Sequence, residues 1–138
     1  MSWDIYLVRT ETNTEPEHLI PEENMVKFTR EEIIRELVVL ARDLNLKAED
    51  LEAKYVHLRG GDWSIEFNFW DDLEPYSTID MEVRGGKLPT EVLSRLKKDL
   101  KARIVDMCAG EFWEEEGASG FSEWKALNDK VARGLKGI

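Results

Sequence analysis

The segment Trp63-Ser64-Ile65-Glu66-Phe67-Asn68-Phe69 constrains this chain more than any other. Four large apolar residues alternate with three polar ones, the period of a pleated strand with one buried face and one wet face. Such a strand needs neighbours along its edges and a layer across its apolar side. Upstream, Tyr55-Val56-His57-Leu58 is separated from it by Arg59-Gly60-Gly61-Asp62. Two adjacent glycines accept positive φ, so a tight hairpin is expected. Downstream, Asp71-Asp72-Leu73-Glu74-Pro75 turns the chain. Tyr76 to Arg84 then sets Ile79, Met81 and Val83 against Thr78, Asp80, Glu82 and Arg84, and Gly85-Gly86 ends the strand. These three segments read as an antiparallel meander.

The covering layer begins at Thr29. Thr29-Arg30-Glu31-Glu32 has the form of a capping box, in which hydroxyl and carboxylate satisfy free N–H groups reciprocally, and Phe28 and Ile33 suit a hydrophobic staple. Ile33, Leu37, Leu40, Ala41 and Leu44 recur at helical spacing, with Ile34 and Val38 widening the stripe. A second helix is expected near Thr90, after Pro89, with Val92, Leu93, Leu96 and Leu100 on one side and Lys97, Lys98 and Lys101 on the other. Trp3 to Val8 alternates as a strand, and Thr10 to Asn24, with Pro16 and Pro21, reads as a surface loop. Arg103 to Met107 fits either a continuation of the second helix or a short strand turning at Ala109-Gly110 into Glu111-Phe112-Trp113, and the strand is preferred. Phe121, Trp124, Leu127, Val131 and Leu135 space out a terminal helix.

The expected fold is therefore α+β, a single domain over 1–138. Four or five antiparallel strands are covered by two or three helices in the order β-α-β-β-β-α-(β)-α. With 138 residues, 42% of them apolar, the chain can bury a core without a disulfide or metal staple.

Charge narrows the choice of partners. The chain has 29 acids and 19 bases, a formal net charge of −10. Residues 1–25 hold six acids and one base and residues 61–85 seven and one, whereas 86–110 hold three acids and six bases. A field of this sign disfavours nucleic acid and anionic membranes and speeds encounter with a basic partner. Keeping the protein in solution is the plainer use of the same charge. Met1-Ser2-Trp3-Asp4 lacks the basic and apolar start of a signal peptide, and the longest apolar run, Leu37 to Ala41, is far short of a membrane span. A cytoplasmic location is expected. The single cysteine, Cys108, cannot form an internal disulfide, in keeping with a reducing compartment.

No spacing of catalytic or metal-ligating residues emerges. His18 and His57 are not arranged as ligands on one helix face. Gly60-Gly61 and Gly85-Gly86 are turn chemistry and open no phosphate loop. Cys108 would need a nearby base, His57 or His18, to act as a nucleophile, and a structural cysteine is the commoner case. No cofactor or metal is expected. The candidate binding residues lie on acidic loops: Asp71, Asp72 and Glu74 in the turn after Phe69, and Glu114, Glu115 and Glu116 beside Trp113. An exposed aromatic flanked by carboxylates suits docking to a basic protein surface. Solvated loops are the competing reading of both clusters.

Four segments together resemble a known group: Ser2-Trp3-Asp4-Ile5-Tyr6-Leu7, Gly61-Asp62-Trp63-Ser64-Ile65-Glu66-Phe67, Met81-Glu82-Val83-Arg84-Gly85-Gly86 and Asp106-Met107-Cys108-Ala109-Gly110-Glu111-Phe112. They are similar to small bacterial proteins of toxin-immunity type, which open with Ser-aromatic-Asp-Ile-Tyr and carry an Arg-Gly-Gly turn after an alternating strand. Ala109 stands where that pattern has Thr before Gly-Glu-Phe. The resemblance spans Ser2 to Phe112 and implies a non-enzymatic protein that binds a cognate toxin, here a basic one, without assigning binding residues. The alternatives are a small enzyme using Cys108 or clustered carboxylates, and a scaffold or regulatory module.

Overall fold

The computed structural model describes residues 2–16, 20–69 and 74–114. Strand β1 (Trp3–Val8) leads through a loop and a short 3-10 turn (Glu22–Asn24) to helix α1 (Arg30–Asp43). Four strands follow: β2 (Lys47–Glu49), β3 (Tyr55–Arg59), β4 (Trp63–Asn68) and β5 (Ile79–Gly85). Helix α2 (Thr90–Asp99) then precedes β6 (Arg103–Asp106) and β7 (Glu111–Phe112). All seven strands form one antiparallel sheet in the order β2-β3-β4-β5-β1-β6-β7. The α+β class and the central β3-β4-β5 meander agree with the sequence. The strand number does not: seven strands are present among the described residues, where four or five were expected. Two helices are present among the described residues, and the helix expected over Phe121 to Leu135 lies outside them.

One core explains the alternation. Trp3, Ile5, Leu7, Val56, Leu58, Ile65, Phe67, Ile79, Met81, Val83 and Ile104 share a buried face. They form a single cluster with Ile33, Leu37 and Leu40 of α1 and with Val92, Leu93 and Leu96 of α2. Val38 is 48% exposed, so the α1 stripe is narrower than its sequence suggests. At the N-terminus of α1, Thr29 accepts from the Glu32 N–H, one arm of the expected box. The other arm is diverted, because the Glu32 carboxylate pairs with Arg9.

The hairpin is tight for a different reason from the one the glycines suggest. Neither Gly60 nor Gly61 adopts a positive φ. A Cβ on Gly60 would fall 2.5 to 2.7 Å from atoms of the Trp63 indole, so that glycine makes room for a ring. Tyr76, expected to start β5, instead exchanges two backbone hydrogen bonds with Phe28, of 2.7 and 2.8 Å. That pairing brings the start of α1 against the chain entering β5.

Candidate functional site

Both described helices pack on the apolar side of the sheet, so the polar positions of the strands point the other way. The strand register fixes which of them meet. Across four strands, His57 lies opposite Glu66, Glu66 opposite Glu82, and Glu82 opposite Asp4. One position along, Asn68 lies opposite Asp80, and Asp80 opposite Tyr6. On the other flank, Arg59 lies opposite Ser64, and Ser64 opposite Arg84. Four carboxylates, Asp4, Glu66, Asp80 and Glu82, thus converge on three adjacent strands.

Directly opposed like charges destabilise a sheet, and among the described residues the surrounding groups balance these only in part. His57 Nε2 lies 3.1 Å from Glu66 Oε1, and its Nδ1 lies 3.2 Å from Asp50 Oδ2. Arg84 donates to Glu82 Oε2 at 2.7 Å and approaches Glu66 Oε1 to 4.0 Å. Ser2 Oγ donates to Asp4 Oδ1 at 2.8 Å. Burial raises the Glu82 carboxyl above its ordinary range, and Glu66 and Asp4 add to this against the pull of Arg84. Asp80 is likewise raised, by burial first and then by Asp4. Half-buried carboxylates held beside one another make a strip of concentrated negative potential, suited to receiving cationic side chains.

Those residues singled out from the sequence that the structure describes, Trp113, Glu114 and Glu74, lie elsewhere. Trp113 is not an exposed anchor: it is 3% exposed and belongs to the core. Its N–H donates to Ile104 O at 2.8 Å, and Lys97 Nζ sits 5.5 Å from the centroid of its ring. Because β7 continues the alternation, Phe112 faces outward beneath the Arg103 guanidinium and Trp113 turns in. The side chain of Glu114 is 70% exposed and pairs with Lys97 at 3.2 Å, beside a shallow cavity of about 350 Å³ lined by Ser94, Lys98 and Ala102. Glu74 Oε1 accepts from the Arg30 N–H at 3.2 Å, so it helps to cap α1. Asp71, Asp72, Glu115 and Glu116 fall outside the described residues, as does His18.

Cys108 is exposed in the turn after β6, where its N–H and that of Ala109 donate to Asp106 Oδ1 at 2.9 and 3.2 Å. The Ala109-Gly110 turn is therefore built by the buried Asp106 carboxylate and by Gly110 at φ +68°. Between β3 and β6 lie β4, β5 and β1. Four strand spacings, roughly 19 Å, separate His57 from the strand that leads to Cys108, too far for the imidazole to serve as its base. Among the described residues no group of three or more His, Cys, Asp or Glu is arranged to hold a metal ion, and no helix is long and apolar enough to cross a membrane.

The acidic strip is not legible in the sequence, because Glu66, Asp80 and Glu82 each look like an ordinary wet position. The signal lay in combining three strands: a 59–64 hairpin sets Glu66 opposite His57, and only the insertion of β1 beside β5 brings in Asp4. No family model, curated protein or solved structure matches the chain.

Proposed function

We propose that this is a non-enzymatic cytosolic binding protein whose acidic strip on the sheet receives a basic surface of a partner protein, in the manner of an immunity protein masking a cationic toxin. The observation that carries this reading is the row Glu66–Glu82–Asp4, with Asp80 one position along. Arginine or lysine side chains laid across the strip would replace repulsion between carboxylates with charge-assisted hydrogen bonds. The negative field would steer their approach, and the sheet would hold the acids in place without a mobile loop. The net charge of −10 acts in the same sense, and so does the resemblance of Ser2 to Phe112 to immunity-type proteins.

The test is co-expression with the product of each neighbouring gene. A stable complex with a basic product, weakened at least tenfold by the double reversal Glu66→Lys/Glu82→Lys while the fold persists, upholds the reading. A complex indifferent to that reversal, or no complex with any neighbouring product, refutes it.

A further inference from the structure

On the opposite side of the molecule, α1 and α2 meet through four charged residues. Glu36 and Asp43 lie about two turns apart on one flank of α1, and Arg95 and Asp99 about one turn apart on α2. The Arg95 guanidinium joins the helices, donating through Nη2 to Asp43 Oδ2 and through Nε to Asp99 Oδ2, each at 3.1 Å. Its donors are thus directed at two of the three carboxylates. Glu36 is left over: its Oε1 is buried and meets no hydrogen-bond donor among the described residues, and the Asp99 carboxylate acts on it more strongly than any other charged group.

An ionised Glu36 would place an unpaired, half-buried charge against a second carboxylate, an arrangement that burial makes costly. A carboxyl proton removes the conflict, because Glu36 then donates an O–H to Asp99, which still accepts from Arg95. We propose that Glu36 and Asp99 hold one proton between them, and that this proton is a switch that tightens the α1–α2 contact when bound and loosens it when lost.

The remaining charges nearby are accounted for. Lys98 acts on Asp99, and Arg42 pairs with Asp43 at 3.2 Å. On β2, which packs against α1, Lys47 and Glu49 pair with one another and Glu49 with Arg59. On β6, which packs against α2, Arg103 pairs with Glu15 and Asp106 accepts from its own turn. None of these neutralises Glu36. Burial, then the hydrogen bond and charge of Asp99, push Glu36 up to about 7, while the same hydrogen bond holds Asp99 below its ordinary range. The folded chain therefore keeps a proton that the unfolded chain gives up near the ordinary glutamate value. Stability falls as pH rises from that value to about 7 and levels off above it. The lowered Asp43 and Asp99 act oppositely, and their contribution is lost only in acid.

Carboxyl ¹³C shifts of the intact protein, followed against pH together with thermal midpoints, test the switch. Glu36 should titrate near neutrality, and the wild-type midpoint should drop between pH 5 and pH 8. Glu36→Gln, which retains a donor toward Asp99, should show a nearly flat profile and a higher midpoint than wild type at pH 8. Asp99→Asn should return Glu36 toward the ordinary carboxylate range. Titration of Glu36 below pH 5.5, or an unchanged pH slope in Glu36→Gln, overturns the proposal.

Discussion

Arg9 and Glu32 form a two-pronged ion pair between the end of β1 and the first turn of α1, with Nη1 3.0 Å from Oε2 and Nη2 2.8 Å from Oε1. The same guanidinium donates to the carbonyls of Val26, Lys27 and Leu100 and stacks 4.3 Å from the centroid of the Phe28 ring. One side chain thus fastens strand, helix start and the end of α2. Lysine cannot reproduce a planar fork. Arg9→Lys should therefore be nearly as damaging as Arg9→Ala, each lowering unfolding free energy by roughly 2 to 3 kcal/mol in denaturant titration. A loss below about 0.5 kcal/mol for either variant would show that the pair is ornamental, as many exposed ion pairs are.

Gly85 and Gly61 should respond in opposite ways to alanine. Gly85 has φ +117°, and a Cβ there would run into the carbonyl oxygen of Asp62 and lie 2.7 Å from Trp63 Cα. Backbone strain and overlap act together, so Gly85→Ala should cost more than about 2 kcal/mol. Gly61 has open space where its Cβ would stand and no positive φ. Gly61→Ala should change stability by less than about 0.5 kcal/mol, or raise it slightly. Equal losses at the two sites would contradict the hairpin geometry.

What the sequence discloses here depends on how local the cause is. Ile65, Phe67, Met81 and Val83 alternate within their own strands, and Thr29 caps within its own turn, so these could be read directly. Lys47-Ala48-Glu49 could not: with one small apolar residue in three, β2 exists because β3 offers it an edge. The place of β1 between β5 and β6 is likewise a long-range outcome, and with it goes the row joining Asp4 to Glu82. Trp113 was misleading for a related reason. Three following glutamates suggest a wet loop, but the side of the sheet a residue faces is set by its strand, and Phe112 and Trp113 divide the two faces between them.

Burial of that indole makes a direct prediction. Trp113→Ala and Phe67→Ala should each cost roughly 3 to 5 kcal/mol, the loss expected when a buried aromatic is truncated. Val38→Ala, at an exposed position of α1, should stay within about 0.5 kcal/mol. Chemical denaturation followed by tryptophan fluorescence measures all three, with far-UV circular dichroism as the check for Trp113→Ala. If Trp113→Ala left stability unchanged but weakened partner binding, the ring would be an anchor after all.

Glu82 should trade stability against binding. It stands between Glu66 and Asp4 and keeps its proton to higher pH than an ordinary glutamate, so its ionisation opposes folding as pH rises through the carboxylate range. Glu82→Gln removes that opposition. Because the side chain is partly hydrated and Arg84 already offsets some of the repulsion, the gain should be small, raising the thermal midpoint at neutral pH by about 1 to 2 °C. For a basic partner the same change removes an attractive charge from the middle of the strip. Association should slow several-fold at low salt, and its dependence on ionic strength should flatten, since the steering field fades as the Debye length shrinks from roughly 30 Å at 0.01 M to roughly 8 Å at 0.15 M salt. Stopped-flow association rates measured across that range, beside thermal midpoints for the same samples, separate the two effects. A variant that gains stability with an unchanged association rate would mean that the partner docks away from the sheet face.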